Sequence, residues 1–230
     1  MHMKKSLILG CILCATALNI ANSWASEEKE KNKNHYKLTY KISITNLTPG
    51  QPVTPLMAAT HRPGMSFFNA GDAPTPELAI LAETGNGNPM ATRLNNTQGY
   101  GDVQVGASGT APGETTMMTI TANSDRNHVS FGAMLGNTND AFIALRDVKL
   151  PKGKRVVTYY ADTYDAGSET NDESCGTVVG PACGGEGFSP NDVGEGFMHI
   201  HNGIHGIGDL DPAIYDWRNP AAQIVIQRMN

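Results

Sequence analysis

The chain has 230 residues, of which 17% are charged and 40% hydrophobic, and its formal net charge is −5 at pH 7. No basic run interrupts this acidic balance, which disfavours nucleic acid and anionic lipid as partners and favours cations. The length that remains after the N-terminal segment suits one large all-β domain or two small ones.

The first 25 residues have the order of parts that is typical of a secretory signal peptide. A lysine pair precedes an apolar stretch at 7–21, and a Ser-Trp-Ala sequence ending at Ala25 supplies small residues where a signal peptidase cleaves. The apolar stretch is too short to be a permanent membrane-spanning helix. We therefore expect a secreted or periplasmic protein without a membrane span. Lipidation of Cys11 is disfavoured, because few apolar residues precede that cysteine.

A polar segment at 26–35 follows and is expected to be a short tether. Apolar and polar residues then alternate from Tyr36 to Ile44, which is the pattern of a half-buried strand. Further along, Thr75 and Pro76 mark the start of a short helix that ends before the glycine at 85, and 85–96 is expected to be loop.

Short strands bounded by Gly, Pro, Asn or Asp follow at regular intervals. They are predicted at 101–105, 115–121, 129–135, 142–145, 155–162, 196–201 and 221–227. Many short strands with one short helix favour an antiparallel two-sheet β-sandwich. No linker-like segment divides the chain, so residues 36–230 are predicted to be one domain.

The stretch 163–195 is a long, glycine-rich and acidic loop, and loops of this length often carry function. Asp165 and Glu169 are four residues apart around a glycine, so a tight turn could direct both carboxylates inward. Calcium prefers six to eight oxygen ligands, mainly carboxylates and carbonyls. The loop is therefore a candidate calcium site, although its spacing is not that of an EF-hand.

Cys175 and Cys183 are the two cysteines outside the predicted signal peptide. In an oxidising compartment such a pair is expected to form a disulfide. A zinc site is disfavoured, because the close spacing and the second pair of cysteines that zinc sites use are missing.

His199, His201 and His205 form a second candidate site. On a strand, His199 and His201 point to the same side, so the three histidines could bind zinc or copper. The alternative is structural, with the imidazoles hydrogen-bonded to nearby carboxylates. No nucleophile elbow, zinc-protease motif or phosphate-binding loop occurs, so we expect no enzyme, and only the long loops favour a hydrolase.

The order of several segments resembles the spondin N-terminal domain, also called the F-spondin or mindin domain, in its microbial branch. The first match is a strand, turn and strand at 129–134 and 139–144, where an Asp precedes an aromatic residue. The second is the Tyr-Asp-Ala-Gly-Ser-Glu turn at 164–169, and the third covers 203–212 and 215–220.

This resemblance implies a β-sandwich related to C2-type domains, with one calcium ion held by Asp140, Asp165 and Glu169. Glu169 stands where the family more often has Asp, which lengthens that side chain by one methylene. Animal members of the family are matrix and adhesion proteins. The resemblance therefore implies a binding or adhesion module whose partner is an unidentified protein or glycan surface.

Overall fold

The computed structural model describes residues 37–185 and 187–230. The predicted signal peptide, the tether and Cys11 lie outside these described residues. Within the described part, no helix is long and apolar enough to cross a membrane.

The described residues form eleven strands and three helices. The strands are β1 Leu38–Asn46, β2 Met57–His61, β3 Tyr100–Val105, β4 Thr115–Ala122, β5 His128–Met134, β6 Ala141–Lys149, β7 Val156–Asp165, β8 Val179–Gly180, β9 Cys183–Gly184, β10 His199–Ile200 and β11 Ala222–Arg228. The helices are α1 Pro76–Thr84, α2 Asn88–Asn95 and α3 Pro212–Tyr215. All strand pairs are antiparallel.

Strand β7 joins two sheets, which confirms the predicted sandwich. Its first part pairs with β11, and this first sheet continues through β1 to β4. Its last part pairs with β6 and β10, and this second sheet continues through β5 and β2 to β3. The edge strands β3 and β4 also approach each other, since the Asp102 carboxylate accepts hydrogen bonds from the backbone N–H and the hydroxyl of Thr121 at 2.7 Å. The sandwich is therefore nearly closed into a barrel.

The hydrophobic core lies between the sheets and follows the alternation of the sequence. In β1, Tyr40, Ile42 and Ile44 are buried, and the residues between them are partly exposed. They pack with Ile224 and Ile226 of the neighbouring strand. The half-buried strand predicted from period-two alternation is confirmed, although its described bounds are Leu38–Asn46.

A second core lies on the other face of the second sheet, under α1 and α2. Here Leu78, Leu81 and Met90 pack on Met57 and Phe142. Strand β2 is consequently buried at every position, and its lack of alternation explains why the sequence did not indicate a strand there.

The prediction of one short helix was correct for α1 but incomplete. Thr75 caps α1 and Gly85 ends it with a left-handed backbone conformation, as expected. The stretch expected to be loop contains α2, in which Pro89 occupies the first turn, where its missing N–H costs nothing. Met90 and Leu94 form a short apolar face that packs against the sheet, so tertiary packing outweighs the helix-breaking composition.

Replacing Leu78 with Ala tests the helical layer. We expect the free energy of unfolding to fall by about 2–5 kcal/mol, because the side chain is fully buried and its removal leaves a cavity. Glu77→Ala is the control, because it removes a surface ion pair with Arg93 and one favourable charge from the first turn of α1, and it should cost about 1 kcal/mol. Equal losses in urea denaturation would contradict the layered arrangement.

Candidate metal centre

Asp140 and Asp165 meet at one end of the sandwich. Asp140 immediately precedes β6, and Asp165 is the last residue of β7. Ala141 pairs directly with Asp165 in the β6–β7 ladder. The two turns that the resemblance joined are therefore neighbours.

The Asp140 side chain is fully buried and only half satisfied. Its Oδ2 accepts hydrogen bonds from the Ser168 backbone N–H at 2.7 Å, the Ser168 hydroxyl at 3.2 Å and the Glu169 N–H at 3.1 Å. Its Oδ1 is buried and has no hydrogen-bond partner among the described residues. Burial raises the pKa of Asp140 well above its usual range, and the neighbouring Asp165 raises it further.

The Asp165 carboxylate is also buried but accepts two hydrogen bonds. Oδ1 accepts from the Gly167 N–H at 2.7 Å, and Oδ2 accepts from the Asn171 amide at 2.6 Å. The same amide donates to Glu195 at 3.2 Å and so brings a third carboxylate to the site. Burial raises the pKa of Asp165, and the nearby Glu195 contributes to this rise.

Glu169 contacts Asp140 through its main chain, and its carboxylate lies elsewhere. Glu169 Oε1 accepts a hydrogen bond from the Ser189 hydroxyl at 2.7 Å, and the Ser189 N–H donates to Glu83 on α1 at 2.8 Å. Burial raises the pKa of Glu169 to about 7, and the neighbouring Glu83 also raises it. The third predicted carboxylate thus forms a separate buried pair with Glu83.

The histidines flank Asp165 from the side of β10. His199 Nδ1 lies 3.9 Å from Asp165 Oδ1, and His201 Nε2 lies 3.9 Å from Oδ2. His201 is buried, and its Nδ1 accepts a hydrogen bond from the Gly203 N–H at 2.9 Å. Burial lowers the pKa of His201 to about 4, so the ring is neutral and carries its proton on Nε2. His201 Nε2 is buried, lies 3.9 Å from Asp165 Oδ2 and has no hydrogen-bond partner among the described residues. Because it carries the ring proton, it has no free lone pair for a metal.

A cavity of about 160 Å³ opens beside these groups. Side chains that line it include Asp165, Asn171, Glu195, His199, His201 and His205. Within the described ranges, no three His, Cys, Asp or Glu side chains stand ready around a common metal position. An ion held by carboxylates would therefore require the exposed Glu195 to move inward.

Glu173 fixes the position of the loop segment that follows β10 next to the site. Its carboxylate accepts backbone N–H groups of three successive residues, His205 at 2.6 Å, Gly206 at 2.7 Å and Ile207 at 2.9 Å. Because these N–H groups converge on one internal carboxylate, the segment after β10 is fixed against the acidic loop.

The predicted disulfide between Cys175 and Cys183 is present. It closes a loop that packs on the turn before β6. The Asn137 N–H donates to the Val179 carbonyl at 2.9 Å, and the Asn137 side chain accepts the Ala182 N–H at 2.8 Å. The bridge thus supports the turn that carries the first aspartate.

Three residues of the centre were not sequence-based candidates: Asn171, Glu173 and Glu195. Glu173 was counted in the acidic loop, but its position under three N–H groups depends on a segment 32–34 residues away. Glu195 lies between two glycines and has no periodic neighbours that would indicate its direction. Only its place in the acidic loop could have suggested a role.

One serine–histidine pair bears on the hydrolase hypothesis. His61 Nε2 lies 2.8 Å from the Ser130 hydroxyl, and His61 Nδ1 donates to the Arg62 carbonyl at 2.8 Å. Asp147 Oδ1 is 3.9 Å from Nδ1. Ser130 is fully buried, so this pair joins β2 to β5 and does not face a substrate. The expectation that the protein is not an enzyme remains a prediction.

Comparison with models of known protein families found no match, and comparison with curated protein sequences found no significant match. The functional argument therefore depends on the geometry of the site and on the resemblance noted from the sequence.

Replacing His201 with Gln separates the structural from the metal-binding hypothesis. We expect a loss of about 1–3 kcal/mol in the free energy of unfolding, because a buried hydrogen-bonded ring that packs on Trp217 is disturbed. His205→Gln, at an exposed position, is the control and should change stability little. Stoichiometric zinc or copper in the purified protein that disappears in His201→Gln would contradict the structural hypothesis.

Proposed function

We propose that this domain binds one calcium ion next to Asp140 and Asp165 and that it acts as a calcium-stabilised binding or adhesion module. The observation that carries the proposal is the Asp140 Oδ1 atom, which is buried and has no hydrogen-bond partner among the described residues. A buried ionised carboxylate is costly unless a cation or donors compensate it.

The surrounding charges support a cation. Asp165 and Glu195 are the charged neighbours that raise the pKa of Asp140, after burial itself. The basic side chains within 4 Å of Asp165 are His199 and the neutral His201, and no Lys or Arg of the described residues pairs with the buried aspartates. A divalent ion would offset this repulsion directly.

The chemistry of the available ligands favours calcium over zinc or copper. The charged groups nearest Asp140 are the carboxylates of Asp165 and Glu195, and hard cations prefer carboxylate oxygens. Nδ1 of His201 accepts a hydrogen bond from the Gly203 N–H, so Nε2 carries the ring proton and offers no lone pair to a metal. A transition-metal site would therefore have to use His199 and His205 without the central histidine, and this remains the alternative.

The proposed module is exported. The disulfide fits an oxidising compartment, and the resemblance to spondin N-terminal domains supports an adhesive role. We place the ion on Asp140, Asp165 and Glu195. Glu169, the third ligand implied by the resemblance, contributes its N–H to Asp140 and its carboxylate to the pair with Glu83.

Calcium should raise the melting temperature of the purified protein as its concentration increases, because an ion that binds only the folded state stabilises it. At a hundred times the dissociation constant, the expected gain is about 2.7 kcal/mol. Differential scanning calorimetry after EDTA treatment measures this shift. A melting temperature that calcium leaves unchanged, while zinc or copper raises it, would overturn the proposal.

Matched variants identify the ligands. Asp165→Asn should abolish most of the calcium-dependent gain, and Glu195→Gln should reduce it. Glu169→Gln should leave the gain intact and is the control for carboxylate loss close to the site. If Glu169→Gln instead abolishes the gain and Glu195→Gln does not, the third ligand is Glu169, as the resemblance implies.

Stability in EDTA should fall as the pH rises from about 6.5 to 8. Burial raises the pKa of Glu169 to about 7, so near that pH the folded protein holds a proton that the unfolded carboxyl, with a usual pKa near 4, has already lost. Burial also raises the pKa of Asp140, which acts in the same direction. The lowered pKa values of the buried His61 and His201 act in the opposite direction and offset part of this fall, because their unfolded rings, with a usual pKa near 6.5, still lose protons in the lower part of the window.

Urea denaturation at several pH values, with EDTA or with saturating calcium, measures this dependence. Calcium should reduce it, because the ion keeps Asp140 ionised in the folded state, whereas Glu169 titrates apart from the ion. Stability in EDTA that rises over the same window would show that the buried carboxylates are already ionised without calcium.

A further inference from the structure

The outer face of the first sheet is almost without charge. Strand pairing across β4, β1, β11 and β7 places twelve outward residues in three rungs. A rung is a row of four paired residues, one from each strand. Lys41 is the one charged residue of these twelve. On a solvated surface, about a quarter to a third of positions carry charge, so about three or four would be expected here. Depletion of charge is typical of the centre of an interaction surface.

The first rung is built for hydrogen bonding. It runs Thr115, Thr45, Gln223 and Tyr160 across the four strands. The two threonine hydroxyls lie 2.8 Å apart, and the Gln223 amide donates to the Tyr160 hydroxyl at 3.3 Å. The Tyr160 side chain is 56% exposed, so its ring is open to a ligand.

The middle rung is more apolar and continues the same surface. It contains Met117, Ser43, Val225 and Thr158. A row of hydroxyl and amide groups thus lies about 7 Å from a row with apolar character, since alternate residues of a strand repeat at that distance. The third rung adds Thr119, Gln227 and Val156 around Lys41.

We propose that this outer face binds a neutral, extended polysaccharide chain. A sugar ring has apolar C–H faces and a rim of hydroxyls that both donate and accept, and Thr, Ser, Gln and Tyr side chains offer the same two capacities. A face whose first two rungs carry no charge leaves no ion unpaired there when a neutral ligand covers them. The inference names a partner for the adhesive role proposed above and does not depend on the calcium site.

The size of the face argues against a second copy of the chain. Four strands and three rungs span about 14 Å by 14 Å between backbone centres. With its side chains the face covers on the order of 300 Å², whereas a stable protein interface buries about 800 Å² per partner. The face is an open sheet surface, which suits an extended chain lying across the strands and not a ligand enclosed in a pocket.

The proposal is tested by mixing the full exported domain with microcrystalline cellulose or with chitin and measuring how much protein each solid removes from solution. We expect depletion by at least one of these solids, and we expect Tyr160→Ala to weaken binding about fivefold through loss of the exposed ring. Val156→Glu, which places a charge on the face, should also weaken binding. Val193→Glu is the matched control, because Val193 is 79% exposed and lies outside the first sheet.

The same binding measurements in calcium and in EDTA distinguish the polysaccharide proposal from the calcium proposal. If the protein binds polysaccharide but does not bind calcium, the proposed binding face is supported and only the proposed calcium site is contradicted. The proposed binding face is contradicted if neither solid depletes the wild-type protein. It is also contradicted if Tyr160→Ala and Val156→Glu bind as tightly as Val193→Glu. A dimer in size-exclusion chromatography that Tyr160→Ala dissociates would also overturn it, because the face would then bind a second copy.

Discussion

The candidate metal centre depends on the burial of one carboxylate, that of Asp140. Removing an ionised group from water costs several kcal/mol unless donors or a cation compensate it. Ser168 and Glu169 supply donors to one oxygen, and in doing so they fix the path of the acidic loop as it leaves β7. That path places Glu173 beneath the N–H groups that follow β10. One electrostatic requirement thus positions segments that lie far apart in the chain.

The fold was largely predictable where one face of a strand is exposed to solvent and the other is buried. Period-two alternation marks β1 and β4 because the core covers only one side of the first sheet. The signal fails in β2, which lies between the core and the helical layer and is buried throughout. It also fails for α2, which follows two glycines and contains Pro and Asn residues typical of a loop, and which is stabilised by Met90 and Leu94.

The site was predictable to the extent that sequence neighbours are also spatial neighbours. The resemblance indicated Asp140 and Asp165, and ladder pairing between β6 and β7 accounts for their proximity. It could not indicate where the Glu169 side chain points, because that depends on Glu83 from a helix some 86 residues earlier, 169 minus 83. Glu195 joins the site through an amide contact that no local pattern encodes.

Strands β1 and β11, which lie near either end of the described residues, are neighbours in the middle of the first sheet. The Met229 N–H even donates to the Thr39 carbonyl at 2.8 Å. A short linker could therefore join these two strands, and the chain could be opened instead at an exposed turn such as 111–114. Such a circular permutant would keep every strand pair and the metal centre, whereas a truncation that removes β11 would separate β1 from β7 and divide the sheet.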